Sequence, residues 1–447
     1  MSSENNNNEQ EKTPPSILET EKEQTVTTEQ TIENILYELH KKAHECYEKK
    51  DYEQAISYYQ EYIKLNPNNP FIYNTLGFLY KKHDENNTIE KRIECYEKAV
   101  EINPDYTPAL RNLALTYQLV EKYNEGIECF ERVLKLDAVT DDYYAYACQK
   151  LRLKDFEKGW EAYGYRFLKG YGPTPYITTN KPFWEGESHP DKTLLVQSEQ
   201  GFGDSLQFIR YIDLAKPFFN KIIFRVQDDL ADLFEINTDI EIIKNSVPID
   251  EINFDYHVPL MNLLKIFKAT DKNVPKPEGY INADPKQVEK YKNDFFDNNC
   301  LKIGISWHGN VTGRQSRNIP LHHFYALARL KNVKVYSFQK PFSKREYENL
   351  PPNIKIVDLG KTFNDFSDTA AAMTNIDVMI TSDNSILNLA GSMSKKTFLL
   401  LNKLSEWRWF FDDDKTPWYS SVKILKKQNE NDSWSTLMHE VINSLDL

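Results

Sequence analysis

Three stretches in the first third of the chain repeat one pattern of small, aromatic and proline residues, and that pattern leaves few folds open. Ala43 is followed by Ala55, Tyr59 and Pro67. Leu76-Gly77 is followed by Tyr80, Tyr96, Ala99 and Pro104, and Leu113-Ala114 by Tyr117, Gly126, Phe130 and Ala138. The copies are offset by 37 and then 34 residues. A unit of that length cannot bury its apolar face alone, so the copies must stack. Small residues let two antiparallel helices approach, aromatics fill the gap to the next copy, and proline ends the second helix of each pair. The second copy carries three extra residues, which belong in the turn around 83–88. A degenerate fourth copy spans 143–166, with Gly159 and Tyr163 at the expected positions.

The period and its residues resemble the tetratricopeptide repeat, which implies an α superhelix with a protein- or peptide-binding groove. Residues 1–33 precede it and hold eight Glu against two Lys, Pro14-Pro15 and almost no aromatics. Such a segment buries too little apolar area to offset its ordering entropy, and is expected to be a disordered acidic tail. The repeat array is then expected over 34–169.

The Pro/Gly/Thr-rich stretch 170–182 marks a change of architecture. Beyond it, apolar runs at 193–199, 221–227, 239–244 and 254–260 read as strands. After a turn-rich stretch at 270–288 a second set follows, at 302–307, 333–339, 354–358, 378–383, 397–401 and 422–425. Strands recurring with helical segments between them predict two parallel α/β lobes, over 170–275 and 276–447. Two Rossmann-type lobes facing one cleft is the arrangement called GT-B.

Chemistry concentrates where strands end. The first lobe opens on LLVQSEQGFGDSLQFIRYI, a strand, a tight turn with Gly201 and Gly203, and a helix. Leu206 stands where a dinucleotide fingerprint needs its third glycine, and no Gly-Lys-Ser/Thr follows, so a P-loop is excluded. What remains is Asp204 at the carboxyl end of the first strand, able to cap the helix or to act as a general base. Gly201, Gly203 and Gln207 are candidates for lining the same site. In the second lobe, GISWHGN runs into Arg314 and Arg317, whose planar guanidinium groups suit a diphosphate. Trp307 and His308 lie in that loop. A third strand end carries Asp383, Asn384 and Ser385, with Asn388 one helical turn on. Either Asn384 or Ser385 can cap the following helix. The segments EWRW and PWY bring four large aromatics together, suited to sealing a domain edge or to stacking on a base.

The order GWEAYGYRF, FWEGE, SEQGFGDSLQFIRY, GISWHGN, NDFSDTAAAM, TSDNSILNLAG, EWRWFFDDDKTPWY resembles tetratricopeptide-repeat proteins that carry a glycosyltransferase domain related to the ADP-heptose heptosyltransferases, glycosyltransferase family nine. The resemblance spans roughly 35–430. It implies an inverting, metal-independent GT-B transferase that uses a nucleotide-diphosphate sugar as co-substrate and needs no cofactor. It also implies Asp204 as the acceptor-activating base. Arg314 and Arg317 would face the donor diphosphate, and Asp383, Asn384, Ser385 and Asn388 would form the donor-binding turn. Asn384 stands where the family usually has Thr, and Asn388 where it usually has His. Three readings stay open: an active transferase, a repeat scaffold with a degenerate transferase domain, and another Rossmann-type nucleotide enzyme.

Bulk properties narrow the partners. A net charge of −12 argues against nucleic acid or an anionic membrane as partner of the whole chain. The five cysteines show neither a CxxC pair nor zinc spacing and suit a reducing compartment. No metal site is expected. No apolar run approaches the roughly 18–20 residues of a membrane span. The start MSSENNNNEQEK lacks a basic and then apolar leader, so the expected location is the cytoplasm.

Overall fold

The computed structural model describes residues 17–85, 87–170, 177, 179–296, 299–309, 317–340, 346, 348–410, 414–429 and 432–445, of which 17–29 and 168–170 are described by backbone alone. The chain forms two compact units, Met1–Ala138 and Val139–Leu447.

The first unit holds three helix pairs: α1 (Ile17–Glu48) with α2 (Tyr52–Leu65), α3 (Pro70–His83) with α4 (Ile89–Ile102), and α5 (Thr107–Leu119) with α6 (Tyr123–Leu136). The pattern residues do what their sizes predict. Ala43, Ala55, Ala99 and Ala114 are fully buried. At Gly77 the second pair closes so tightly that an added Cβ would lie 2.4 Å from the Tyr96 ring. Side-chain caps start two of these helices. Asp51 accepts from the Gln54 amide, and Asn69, set before Pro70, accepts from the Phe71 amide. The three extra residues fall between α3 and α4, where the Thr88 hydroxyl donates to the Tyr80 carbonyl at 2.9 Å.

The tail differs from expectation. Residues 1–16 lie outside the described residues, but 17–33 are helical and continuous with α1. This stretch is polar, but its five Glu are good helix formers that offset its five Thr, so it extends a helix that the first repeat has already nucleated.

The second unit begins with the fourth pair, α7 (Thr140–Arg152) and α8 (Phe156–Gly164), followed by a 3₁₀ segment, Tyr165–Gly170. The sequence placed this pair with the repeat array. Its side chains instead pack into the α/β body. Trp160 stacks edge-on against Trp407 at 5.4 Å and donates its indole N–H to the Ala269 carbonyl at 2.7 Å. Much of the expected 170–182 boundary lies outside the described residues.

The first sheet holds β1 (His189–Gln197), β2 (Phe219–Val226), β3 (Glu241–Lys244) and β4 (Tyr256–Pro259), all parallel and ordered β3-β2-β1-β4. Between them lie α9 (Phe202–Phe208), a 3₁₀ run Ile209–Phe218 and α10 (Asp228–Glu235), with α11 (Asn262–Ile266) after β4 and α12 (Pro285–Phe295) leading on. The second sheet holds β5 (Leu301–Ser306), β6 (Val333–Ser337), β7 (Ile356–Asp358), β8 (Val378–Thr381), β9 (Thr397–Leu401), β10 (Lys415–Thr416) and β11 (Tyr419–Lys426). Its order is β10-β11-β9-β8-β5-β6-β7, with only β10 antiparallel to its neighbour. The 3₁₀ run Leu321–Arg329, helices α13 (Phe366–Thr374) and α14 (Ser385–Ser392), the 3₁₀ turn Trp407–Trp409 and α15 (Trp434–Asn443) complete it.

Both sheets are doubly wound. In the first, the chain moves outward from β1 to β3 and returns on the other side as β4. In the second it moves from β5 to β7 and returns as β8. Each reversal opens a crevice at the carboxyl ends of the central strands, where such sheets bind ligands. Val335, Ile303, Ile305, Val378, Ile380 and Phe398 form the core beneath the second crevice. No helix among the described residues is long and apolar enough to cross a membrane.

Candidate functional site

The loops leaving β1, β5 and β8 meet at the two crevices. An added Cβ at Gly203 would lie 2.7 Å from the Asn388 amide nitrogen and 3.7 Å from Ser385 Cα, so α9 of the first sheet sits directly on the start of α14 of the second. An added Cβ at Gly309 would lie 3.6 Å from Asn384 Cβ. Glycine is required at 203 for this close approach, not for a special φ. Phe202 and Phe366 also pack across the seam, their ring centroids 5.1 Å apart.

Asp204 occupies the third position of α9 rather than its N-cap. Its Oδ2 reaches back to accept the Gly201 amide at 3.0 Å, the acidic half of a capping box. Its Oδ1 accepts a hydrogen bond from Arg408 Nη2. The pair is largely enclosed, with the side chains 17% and 12% exposed. Arg408 rests on the faces of Trp407 at 4.6 Å and Phe208 at 5.8 Å. Burial, the largest single influence, works against its charge, but Asp204 together with Tyr163, Glu406 and Tyr144 outweighs it, so its pKa stands above the ordinary arginine value.

A second ionic group adjoins the first. Arg317 Nη2 donates to Glu406 Oε1 at 2.5 Å, and its Nε lies 3.8 Å from Asp383 Oδ2. Burial pushes the Asp383 carboxyl up. Arg317 pulls it back and Glu406 raises it again, leaving a net increase. Arg317 itself is raised, because its two carboxylate neighbours outweigh burial. The two partners differ because Asp383 is the more enclosed, 11% exposed against 42% for Arg317. Arg317, Asp383, Leu400, Asn402, Ser405 and Glu406 line a pocket of about 350 Å³ counted to its open mouth.

The remaining expected residues divide into those near this pocket and those serving the frame. Asn384, not Ser385, caps α14, accepting from the Ile386 and Leu387 amides at 3.0 and 3.3 Å, while its own amide donates to the Ser306 and Ser382 hydroxyls. Asn388 is engaged at both ends. It donates to the Asn384 carbonyl at 3.2 Å and accepts from the Tyr419 hydroxyl at 2.9 Å, which makes it part of the seam. The Gln339 side-chain oxygen gathers the Ser306 hydroxyl and the Trp307 and His308 amides at 3.1–3.2 Å. His308 is thus held by Gln339, and Trp307 is core. Gln207 is buried, and its carbonyl holds Arg210. Arg314 and Asn310 lie outside the described residues.

Two features escaped the sequence reading. One is the anchoring of the glycine turn by the fourth helix pair. Arg166 binds Glu199 through Nε at 2.8 Å and Nη2 at 2.6 Å, both side chains being 4% exposed, and Gln200 donates to the Tyr163 hydroxyl. The other is Glu406 and Arg408. Their signal was present as alternation: Glu406 and Arg408 face the ionic cluster while Trp407 and Trp409 are buried. The aromatic segment seals an edge, with Trp407 closing on Trp418 and on α8, and Trp418 on Phe208.

Residues 43–84 match the profile described as TPR repeat, and residues 72–106 and 108–140 the one described as Tetratricopeptide repeat. Protein FlbA of Caulobacter vibrioides is 22% identical over 88% of this chain and 70% of its own length. Two solved structures resemble the chain beyond the repeats. The glycosyl transferase family 9 protein of Veillonella parvula is 15% identical over 58% of this chain and 97% of that one, with a TM-score of 0.44. ADP-heptose LPS heptosyltransferase II of E. coli is 12% identical over 56% of this chain and 98% of that one, with a TM-score of 0.42. Residues 43–140 carry matched tetratricopeptide repeats, and an α/β unit built on two largely parallel sheets follows them.

Proposed function

We propose that residues 139–447 transfer a sugar from a nucleotide-diphosphate donor to a hydroxyl acceptor, with inversion and without a metal. The observation that carries this reading is the ion pair of Asp204, after β1, with Arg408, after β9, beside the group of Arg317, Asp383 and Glu406 that follows β5, β8 and β9. A carboxylate at one crevice facing guanidinium groups from the other separates a base from a place for departing negative charge. In the reaction, the acceptor hydroxyl gives its proton to Asp204 as its oxygen bonds to the anomeric carbon. The bond from that carbon to the phosphate oxygen breaks on the opposite face, and the nucleoside diphosphate leaves with the electron pair. The inverting, metal-independent chemistry follows from the resemblance of the strand-end motifs to glycosyltransferase family nine. A protein or peptide held by the repeats is the acceptor this reading favours, since a groove of stacked helix pairs is suited to one.

A second reading has its own support. Both Asp204 oxygens are already hydrogen-bonded, and Asn388 is tied into the seam. Both facts suit a scaffold whose α/β unit has lost catalysis. Incubating the chain with UDP, GDP and ADP sugars and following nucleoside diphosphate release separates the two. Release that Asp204→Asn abolishes supports the transferase. Absence of both saturable binding and release supports the scaffold.

A further inference from the structure

We propose that Arg408 is the diphosphate-binding cation of this site, and that an incoming diphosphate takes it from Asp204, unmasking the carboxylate. The inference rests on the transferase reading for the identity of the ligand, but its geometry stands on the ion pairs alone.

The two cations of the site differ in how they are held. Arg317 is straddled by carboxylates, Glu406 at 2.5 Å and Asp383 at 3.8 Å. An anion that took Arg317 would have to displace one acid and lie against the other. Arg408 has Asp204 as its one hydrogen-bonded partner among the described residues, through Nη2 alone. A guanidinium carries five N–H donors, so most of its capacity is unspent. Its seat is made by other means: the Trp407 and Phe208 faces, and a backbone carbonyl that accepts the Trp418 indole N–H at 2.8 Å. Ring faces hold a guanidinium without consuming its donors, so Arg408 can change anions and keep its place.

The same exchange acts on Asp204. With Oδ2 committed to the Gly201 amide and Oδ1 to Arg408, an acceptor hydroxyl meets a carboxylate already engaged at both oxygens. A diphosphate competing for Arg408 frees Oδ1 and sets a cation beside the departing group in one movement. Binding is therefore ordered, donor before acceptor. Notably, Glu406 and Arg408 flank Trp407 in one 3₁₀ turn, so the same short segment holds one cation closed and the other available.

The test uses inorganic pyrophosphate as the probe, titrated calorimetrically into the full chain. Asp204→Asn removes the competing charge and should tighten binding roughly tenfold. Arg408→Met should abolish binding, and Arg317→Met should weaken it far less. Arg408→Lys, which keeps the charge, should retain measurable binding and serves if the Met variant does not fold. Unchanged or weaker binding by Asp204→Asn, or a larger loss from Arg317→Met than from Arg408→Met, overturns the proposal. Pyrophosphate binding that shifts as stated in a chain without transfer activity supports the exchange and sinks the transferase reading. Transfer activity with pyrophosphate affinity indifferent to Asp204 and Arg408 does the reverse.

Discussion

Arg408 and Asp204 lie 204 residues apart in the chain and form an ion pair that joins the loop after the first strand of one sheet to the 3₁₀ turn beyond the fifth strand of the other. The pair stands where the two lobes present the ends of their central strands. The reactive groups of the proposed transferase are therefore set by tertiary packing, and the sequence motifs supply only their local frames.

Asp204→Asn keeps the size of the side chain and an oxygen for the Gly201 amide, so the α9 turn should remain intact. Sugar transfer should fall by about 10²–10⁴-fold, the range for loss of a general base. Melting should fall, because Arg408 keeps its charge in a largely enclosed place and loses its counter-charge. Rate measurements at saturating donor check the first statement and thermal unfolding the second.

Gly203→Ala should destabilise the second unit by roughly 1–3 kcal/mol, the cost of overpacking a tight contact. The added Cβ meets the Asn388 amide nitrogen at 2.7 Å, and Asn388 cannot yield without losing its bonds to Asn384 and Tyr419. In an Asn388→Ala background the obstacle is gone, and the same substitution should cost much less. Denaturant midpoints of the four proteins form the cycle that measures this.

The fourth helix pair should prove inseparable from the α/β body. A fragment of residues 139–447 should melt cooperatively, whereas 170–447, cut where composition changes, should not. The shorter fragment leaves Trp407 without Trp160 and strips Arg166 from the buried Glu199. Leaving a charge buried and unpaired costs about 3–5 kcal/mol, a large share of a domain's stability. Equal melting of the two fragments would contradict this.

Much of this fold was legible because its signals are local. All ten expected strands formed, since apolar runs of four to seven residues bounded by turns have few alternatives in an α/β chain. The strand–turn–helix around Gly203 and the cap at Asn384 were readable for the same reason. What stayed hidden depends on partners distant in sequence. The role of Arg408 requires knowing where Asp204 lies, and that of Arg166 requires Glu199. Asn388 was readable as facing the same way as Asn384, but the hydrogen bond its oxygen accepts from the Tyr419 hydroxyl, 31 residues on, was not. The opposite error occurred at 17–33, where composition argued for disorder and a neighbouring helix carried the segment along.

Asp383 gives a pH signature. Its folded-state pKa is raised by burial, so the folded protein binds this proton more tightly than the unfolded chain. The stabilisation is present below the ordinary carboxyl pKa of about 3.9 and is lost as pH rises through the raised value. At neutral pH the charged Asp383 therefore costs stability, as site residues often do. Asp383→Asn should melt higher than the parent at pH 7, with the difference closing toward pH 4. Melting curves across that range check it, and a variant less stable at pH 7 than at pH 4 relative to the parent would speak against it.

The central claim is that the meeting of Asp204 with the second lobe is a nucleotide-sugar site, and calorimetric titration of UDP, GDP and ADP sugars into the full chain tests it most directly. The account predicts saturable binding of at least one of them, lost on Arg408→Met and retained by Asp204→Asn, which impairs turnover rather than donor capture. Saturable binding by none of the three, or binding that survives Arg408→Met unchanged, would contradict it.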